Sequence, residues 1–403
     1  MREINNKVWF VTELYWPSST STGFILTKIA ESITVGREVA VVTGPPSYEN
    51  KVEKYNLYEL RQGVEINRVK VGHFSKDKLL WRFLRLTVIT AKLARRCIKL
   101  IESNATIIVV TTPFTLVFLG AVLKRFKKKS RLIVIVHDIY PDNLVIVGLL
   151  KNGGVLQKIL DKIFFFSMSK MDVIVALGRD MQRVLEDKGH KSVRVVENWA
   201  ESHVLSEPSE PILDKEREKT VFLFAGNIGR LQGIDRLLEA IEILATQPIS
   251  QSLKFVFAGG GAMEGEVKKR EKSLTEGLVR FIGPYERSSQ REVLTNCDVG
   301  VVSLDTGMFG LGVPSKAYNI MAAGKPIFYI GDPGSELDLV IKESDCGWFA
   351  EATSAEDIAI EIEKIASLNC TEMHAKAVNS FTLGSVVYTE QRAVAAYQAL
   401  VSE

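Results

Sequence analysis

The stretch "TVFLFAGNIGRLQGIDRLLEAIEIL" (220–244) carries the pattern that decides the fold. An unbroken apolar run follows Thr220, glycines mark the turn after it, and apolar residues then return every three to four positions from Ile234. The unbroken run is typical of a parallel strand covered on both faces, and the later spacing predicts an amphipathic helix. We therefore predict a strand–turn–helix unit of an α/β protein.

The same rhythm runs through the whole chain. Apolar runs that end in turn signals occur at 8–15, 38–46, 106–113, 132–142, 172–177, 193–198, 253–261, 278–284, 298–305 and 326–332. A polar stretch rich in Pro and Glu, at 201–219, divides them into two series. We predict two doubly wound, Rossmann-like parallel-sheet domains over residues 1–200 and 201–385, with a final helix in 386–403.

The net charge of the 403-residue chain is only +3, but it is unevenly distributed. Between Ser75 and Arg131 there are 14 Lys or Arg and 2 Asp or Glu, so this stretch carries +12 and the rest about −9. A basic region of this kind fits nucleic acid, an anionic membrane surface or a solvated face. Nucleic acid is the weakest of these, because the region has few aromatic residues between its cations and no known binding motif.

Cysteine usage and the N-terminus both predict a cytoplasmic protein. The four cysteines are far apart, form no CxxC pair and lie near no histidine, which is typical of free thiols in a reducing compartment. The start "MREINNKVWFVTELYWP" is interrupted by Glu13 and lacks the features of a signal peptide. No apolar run reaches the roughly 18 residues that a membrane-spanning helix needs.

In open parallel sheets, ligands bind at the carboxyl ends of the strands, so these positions are the candidate site residues. We expect the two domains to form a cleft between them that holds the active site. In "FGLGVPSKAYNIMAAGKP" (309–326), Pro314 suits a first helical turn, Ser315 can donate a hydrogen bond and Lys316 adds a positive charge. This combination favours a phosphate or diphosphate; the alternative is a solvated first-turn lysine beside packed alanines.

A second candidate phosphate site is the turn of the opening stretch. Its glycines let the backbone approach a ligand, and Arg230 has the forked guanidinium that suits phosphate oxygens. The alternative is an ordinary turn with a surface arginine. The turn lacks GxGxxG and the chain has no GxxxxGK[ST], so neither a dinucleotide fingerprint nor a P-loop is present. We interpret "GGGAMEG" (259–265) as a tight turn.

A third candidate site is "VHDIYPD" (136–142), where His137 and Asp138 follow a buried strand. A strand-end histidine is either a functional group or a hydrogen-bonded structural one, and the residues alone leave both possibilities open. No DxD motif and no His/Cys cluster occurs, so we expect no essential metal and no cofactor.

Together these motifs resemble the retaining glycosyltransferases of family four, also called group 1, which have the GT-B fold. The resemblance covers essentially the whole chain. It implies an N-terminal domain that binds the acceptor and a C-terminal domain that binds the nucleotide-sugar donor. By this resemblance, His137, Asp138, Arg230 and Lys316 are the catalytic candidates, and Glu197 and Asn198 lie at the crossing between the domains. The donor-binding candidates are Gly23, Gly226, Asn227, Gly229, Arg230, Gly283, Pro314, Ser315, Lys316 and Asn319.

The chain departs from the family at the donor helix. Two glutamates usually lie eight positions apart there; Leu311 and Asn319 take their places. Asn319 can still bind a ribose hydroxyl, whereas Leu311 cannot hold a sugar hydroxyl. The usual donor-loop lysine is Gln232, a lost charge that Lys316 can restore. The motifs are similar to those of a bacterial surface-polysaccharide subgroup that includes UDP-L-N-acetylfucosamine transferases.

The resemblance implies transfer of a UDP-activated amino or deoxy sugar, with retention, to a lipid-linked oligosaccharide of O-antigen, capsule or exopolysaccharide biosynthesis. Donor departure would be assisted by charge stabilisation on the diphosphate, and His137 would orient sugar or acceptor rather than act as a firm base. The polyprenyl-diphosphate acceptor would lie at the inner face of the cytoplasmic membrane. The basic segments 76–101 and 124–131 would attach the protein there peripherally; the alternative is that their apolar residues are core.

Two other functions fit the same fold. A GT-B nucleotide-sugar epimerase would need several carboxylates and histidines around the sugar, which the candidate residues do not supply. A degenerate, non-catalytic transferase remains open because the glutamate pair is missing.

Overall fold

The computed structural model describes residues 7–18, 20–46, 55–72, 79–208 and 219–403, without the side chains of residues 79, 80, 82 and 83. Contacts divide the chain into two units. The first comprises residues 1–197 and 394–403, and the second comprises 198–393. Residues 201–208, which composition placed in the connecting stretch, are therefore part of the second unit.

The first unit is built on one sheet with the order β3-β4-β2-β1-β5-β6-β7-β8 among its described strands. All neighbours pair in parallel except β3 and β4, which form an antiparallel hairpin. The strands are β1 (Lys7–Thr12), β2 (Glu38–Thr43), β3 (Tyr58–Arg61), β4 (Val64–Arg68), β5 (Thr106–Val110), β6 (Arg131–Ile135), β7 (Val173–Ala176) and β8 (Val193–Val195).

Helices connect these strands. They are α1 (Ser21–Ile33), α2 (Leu79–Leu100), α3 (Thr115–Phe126), α4 (Asp142–Ile146), α5 (Val155–Met168) and α6 (Arg179–Asp187). Strands β1, β2, β5, β6 and β7 are almost entirely buried, because helices cover both faces of a parallel sheet.

The second unit has a fully parallel sheet with the order β11-β10-β9-β12-β13-β14. Counted within the unit this order is 3-2-1-4-5-6, so the topology reverses between β9 and β12. The strands are β9 (Thr220–Ala225), β10 (Leu253–Ala258), β11 (Val279–Gly283), β12 (Val299–Ser303), β13 (Ile327–Gly331) and β14 (Gly347–Glu351).

The helices of the second unit pack around a core that is rich in phenylalanine from the central strands. They are α7 (Ile234–Ala245), α8 (Glu264–Ser273), α9 (Gln290–Thr295), α10 (Lys316–Ala322), α11 (Glu336–Ser344), α12 (Ala355–Ala366) and α13 (Cys370–Thr382). The last helix, α14 (Glu390–Ser402), leaves this unit and ends in the first. There the Gln398 side chain donates to the Ser32 carbonyl at 2.9 Å.

The prediction of two doubly wound parallel sheets is confirmed, and every predicted run contains a strand. The β3–β4 hairpin and β14 were missed. The hairpin turn is Gln62-Gly63, with φ angles of 48° and 80°, which an X-Gly pair between short alternating strands could have signalled. Strand β14 has only three apolar residues between Gly347 and Glu351, so its sequence does not stand out.

The four cysteines are free. Among the helices of the described ranges, none has both the length and the apolar content to cross a membrane.

Candidate active site

The carboxyl edge of the second sheet is the better defined candidate site. Strand β9 ends at Gly226, whose φ of 128° is a conformation that favours glycine. This position lies at the reversal of strand order between β9 and β12, where a doubly wound sheet opens to a ligand. A Cβ on Gly226 would stand 3.7 Å from Cδ of Lys316, so the structure brings these two predicted residues together.

Lys316 is the most unusual charged residue at this edge. Its Nζ is buried without a hydrogen-bond partner and lies 3.3 Å from the centroid of the Phe224 ring. Burial lowers its pKa well below the ordinary value. A buried ammonium without a counter-charge costs several kcal/mol, so the side chain can lose its proton or recover a charge partner from a ligand. The expected alternative of a solvated lysine is therefore wrong.

The loop after Gly226 presents its polar side chains to solvent. Asn227 and Arg230 are exposed, and no carboxylate of the described residues forms an ion pair with the Arg230 guanidinium. Gly229 is buried, and a Cβ there would come within 2.7 Å of the Asn227 amide. The loop can thus offer a guanidinium and backbone to an anion.

The turn "GGG" (259–261) supports this loop. A Cβ on Gly259 would stand 1.8 Å from the Gly226 carbonyl oxygen, and one on Gly261 would stand 2.4 Å from that of Ile228. The Gly259 amide also donates to the carbonyl of Gly283, at the end of β11. The prediction of a tight turn is confirmed, and Gly283 is a backbone neighbour of that turn. Glycine is required here because the two loops touch through their backbones.

The donor helix begins later than its sequence predicts. Helix α10 starts at Lys316 with Ser315 as its N-cap residue, so Pro314 precedes the helix instead of occupying its first turn. The Pro314 carbonyl accepts from the Ala317 amide at 3.1 Å, a tight turn that leads into the helix. The prediction that Pro314 lies in the first helical turn is wrong, because Pro314 lies two residues before the helix begins.

Asn319 lies in a buried network that sequence reasoning missed. Its Oδ1 accepts from the Glu201 amide at 2.8 Å, and its Nδ2 donates to the Glu201 carboxylate at 3.1 Å. Arg287 Nε donates to the same carboxylate at 2.6 Å. Both ends of the Asn319 amide therefore bond within the protein, and the ribose contact stays a prediction. Leu311, which takes the place of the family's other glutamate, is buried.

The first unit offers a different chemistry after β6. The amides of His137 and Asp138 donate to Thr111 Oγ1 at 2.9 and 3.1 Å, so one buried hydroxyl holds the turn. The His137 Nε2 is buried without a partner, and burial lowers its pKa to about 4. The imidazole is thus neutral near pH 7 and suited to a hydrogen bond with a hydroxyl rather than to a charge.

Asp138 is fixed by neighbouring side chains. Its carboxylate accepts from Thr112 Oγ1 at 3.2 Å and from Asn143 Nδ2 at 3.1 Å. Burial nevertheless raises its pKa, against the effect of these hydrogen bonds. The group is a hydrogen-bonding carboxyl in an apolar surrounding.

Asp138 also lines a cavity of about 340 Å³. Most of the walls are apolar and come from the segment after β6, helix α5 and the end of helix α6, with two lysines and one histidine among them. The lining residues include Thr111, Tyr140, Phe164, Lys162, Lys188 and His190. Tyr140 belongs to the predicted motif, whereas the lysines had no signal in sequence.

Gly23 lies in the first turn of α1, where Thr20 caps the helix and accepts from the Gly23 amide. A Cβ at this position would stand 2.9 Å from Ser18 Cβ, so the loop before α1 packs directly on it. Glu197 and Asn198 stand on either side of the division between the units.

The described part of the basic segment is largely built into the first unit. Ile89, Leu93 and Cys97 of α2 are core. Arg85 pairs with Glu13 at 2.5 Å, and Arg96 donates to Asn67 at 3.0 Å. The apolar residues of the later part of α2 are therefore core, whereas Trp81 and Leu84, from the predicted membrane face, are 42% and 45% exposed.

The remaining parts of the predicted surface fall into two groups. Residues 76–78 and the side chains of Leu79, Leu80, Arg82 and Phe83 lie outside the described residues. In the second cluster, Lys124 pairs with Asp172 at 2.5 Å, while Lys128 and Lys129 are exposed.

In the described ranges, no three His, Cys, Asp or Glu side chains come together as they would to hold a metal ion.

Two doubly wound units, each with candidate residues at its strand ends, define the GT-B class of proteins. The structure of Anabaena Alr3699/HepE in complex with UDP matches 98% of this chain and 99% of its own, with a TM-score of 0.68 at 14% identity. At that identity the similarity shows the fold, and the GT-B prediction is confirmed.

Sequence similarity identifies the family. The family described as "Glycosyl transferases group 1" matches residues 206–380. The probable glycosyltransferase WbjE of Pseudomonas aeruginosa is 30% identical over 381 residues, 91% of each chain. The putative colanic acid biosynthesis glycosyl transferase WcaI of Escherichia coli K12 is 24% identical over 80% of this chain and 83% of its own. The chain belongs to the group 1 glycosyltransferases and is an enzyme of that class.

Proposed function

We propose that this glycosyltransferase transfers an amino or deoxy sugar from a UDP-activated donor to a lipid-linked saccharide in surface-polysaccharide biosynthesis, with retention. The observation that carries the donor class is the buried Lys316 amine beside Gly226. A nucleoside diphosphate would supply the charge partner that this amine lacks. UDP in the HepE structure and the name of WcaI support the nucleotide and the biosynthetic setting.

The second unit would drive departure of the leaving group. As the bond between the sugar C1 and the diphosphate oxygen breaks, negative charge grows on the diphosphate. Lys316 and Arg230, with the Gly226 backbone and the Ser315 hydroxyl, would stabilise that charge. With two side-chain cations in place, we propose that the reaction needs no metal ion and no cofactor.

The first unit would hold hydroxyl groups. A neutral His137 can exchange hydrogen bonds with a sugar or acceptor hydroxyl without placing a second charge beside the reacting centre. The acceptor oxygen would bond to C1 from the side of the leaving group and pass its proton to a phosphate oxygen, which retains the configuration. Asp138, in the wall of the cavity, would orient the acceptor.

Calorimetric titration tests the donor class. We expect UDP to bind with micromolar affinity in the presence of EDTA, and Arg230→Ala to weaken it. Titrations with GDP, a dTDP-sugar and NAD are the controls. Binding of GDP in place of UDP would contradict the donor, and binding of none would contradict the transferase site.

Proton uptake tests the role of Lys316. If UDP restores its charge, binding takes up close to one proton at a pH between the pKa values of the free and bound enzyme, because the lowered pKa rises beside the diphosphate. Titrations in two buffers with different ionisation enthalpies measure this uptake. Lys316→Met should abolish it, and an unchanged uptake in that variant would contradict the assignment.

A further inference from the structure

Helix α5 exposes an unusual number of large apolar side chains. Six of those exposed among the described residues lie on this one helix: Val155, Leu156, Ile159, Ile163, Phe165 and Phe166. Val155 is 76% exposed and Phe166 is 59% exposed. Elsewhere in the unit such side chains stand singly or in smaller groups, as Val35 does. A contiguous apolar stripe of this kind marks an interaction surface.

The stripe is not the face that holds the helix to its own unit. Phe164 and Met168 point the other way and are buried, and Phe164 packs on Phe118 of α3 with ring centroids 4.8 Å apart. At 100° per residue, Val155, Ile159 and Phe166 fall within about 40° of one another, opposite Phe164. A helix that is apolar on both sides is normally covered on both.

The charges around the stripe are almost all positive. Residues 149–170 contain four lysines, Lys151, Lys158, Lys162 and Lys170, and one acid, Asp161. Asp161 lies 3.7 Å from Lys188 and turns toward the cavity. Lys170 Nζ lies 4.6 Å from the centroid of the exposed Phe166 ring, so charge and apolar surface adjoin.

We propose that the exposed face of α5 docks on an anionic lipid bilayer, with the apolar stripe in the interface and the lysines at the headgroups. Apolar residues beside lysines on one helix are the pattern of an interfacial helix. A second copy of the chain is disfavoured as occupant, because a two-fold contact would oppose two lysine-rich faces. An anionic bilayer offers an apolar region for the stripe and negatively charged headgroups for the lysines.

Phe164 and Met168 of the buried face line the cavity that contains Asp138, and so do Lys162 and Phe165 at the edge of the stripe. Docking α5 would therefore bring that cavity next to the headgroups, where a lipid-linked acceptor carries its saccharide. Only this link to the acceptor rests on the proposed function; the docking surface itself rests on exposure and charge.

Vesicle flotation tests the surface. We expect the full chain to float with vesicles of phosphatidylglycerol and phosphatidylethanolamine and to remain behind with phosphatidylcholine alone. Ile159→Ser combined with Phe166→Ser should raise the lipid concentration for half-binding by more than about tenfold. Val35→Ser combined with Leu60→Ser, two exposed apolar residues away from α5, is the matched control and should not change it.

Lysine variants separate charge from apolar contact. Lys151→Gln combined with Lys158→Gln should weaken binding by roughly fivefold per lysine at low salt and by less at high salt. If circular dichroism shows that the serine variant is unfolded, these lysine substitutions still test the docking surface, because they change only surface side chains.

Three results would overturn the proposal: no flotation of the wild type with anionic vesicles, equal loss in the control variant, or a wild-type dimer in sedimentation velocity that the serine variant dissociates. Transfer to a water-soluble acceptor analogue is measured in parallel. If transfer persists in the serine variant while flotation is unchanged from the wild type, the docking surface fails and the proposed function stands; if UDP neither binds nor reacts, the proposed function fails by itself.

Discussion

The two units share a topology and differ in the chemistry of their strand ends. In each sheet, the first strand of the doubly wound series lies between strands from both halves of the sheet, so the strand order reverses beside it. In the second unit a buried amine without a partner lies at that edge; in the first, the strand ends carry a neutral imidazole and a carboxyl whose pKa is raised. We propose that the edge of the second unit binds an anion and that the edge of the first binds uncharged hydroxyl groups.

The difference teaches that the sheet sets the position of a site but not its charge. Both edges desolvate their side chains, and desolvation disfavours whichever form is charged. It lowers the pKa of Lys316 and His137 and raises that of Asp138. A charged ligand reverses this cost where it supplies the opposite charge, which a diphosphate would do for the cationic forms of Lys316 and His137 but not for the carboxylate of Asp138.

The largest effect is expected when the Lys316 charge is removed from the carboxyl edge of the second sheet. Lys316→Met keeps the contact with Phe224 but loses the amine, so kcat/KM should fall by about 10³-fold, roughly 4 kcal/mol of transition-state stabilisation. The free energy of unfolding should be unchanged or higher, because a buried polar group is lost. Lys272→Met on the surface of α8 is the control. Transfer at the wild-type rate would refute the assignment.

The next effect concerns the neutral histidine of the first edge. The folded-state pKa of about 4 lies below the ordinary 6.5, so the unfolded chain binds the proton more readily between these values. The contribution of His137 to stability is complete above about pH 6.5 and is lost as the pH falls toward 4, by up to about 3 kcal/mol.

Urea titrations across this pH range measure the loss. His137→Gln should flatten the dependence, with His374→Gln as the control for replacing an imidazole elsewhere. An equally steep dependence in the His137 variant would show that the imidazole is not buried in its neutral form.

A smaller effect is expected from the hydroxyl that holds the turn of the first edge. Thr111→Val leaves the His137 and Asp138 amides without their acceptor, which should lower the free energy of unfolding by about 2 to 3 kcal/mol. Thr111→Ser retains the oxygen and should recover most of it. Equal losses in the two variants would mean that packing of the methyl group, not the hydrogen bonds, matters.

The smallest effect sharpens the contrast within the second unit. Asn319→Ala should reduce the free energy of unfolding by about 2 kcal/mol, because Glu201 loses two hydrogen bonds, while UDP affinity stays within about threefold. Asn296→Ala, on an exposed helix end, is the control. A UDP affinity that falls by tenfold without loss of stability would restore the predicted ribose contact.

Much of this could be predicted from sequence because it is local. The run before Gly226 and the helical spacing after it locate the loop of the second unit, and the motif around His137 locates the strand-end residues of the first. The network of Asn319 could not be predicted, since its partners Glu201 and Arg287 are distant in sequence and Glu201 lies in a stretch whose composition is typical of a connection. The partners of the basic segment could not be predicted either, because the fold alone brings Arg85 to Glu13 and Arg96 to Asn67.

The sequence by itself determined two parallel-sheet units, the glycine turns at their strand ends and membership of the group 1 glycosyltransferases. Only the tertiary structure decided that Lys316 is buried without a partner, that His137 is neutral and that α5 leaves an apolar face open. The physical reason is that apolar periodicity indicates how many sides of a segment are covered but not by what. Burial and charge pairing depend on neighbours that the fold alone brings together.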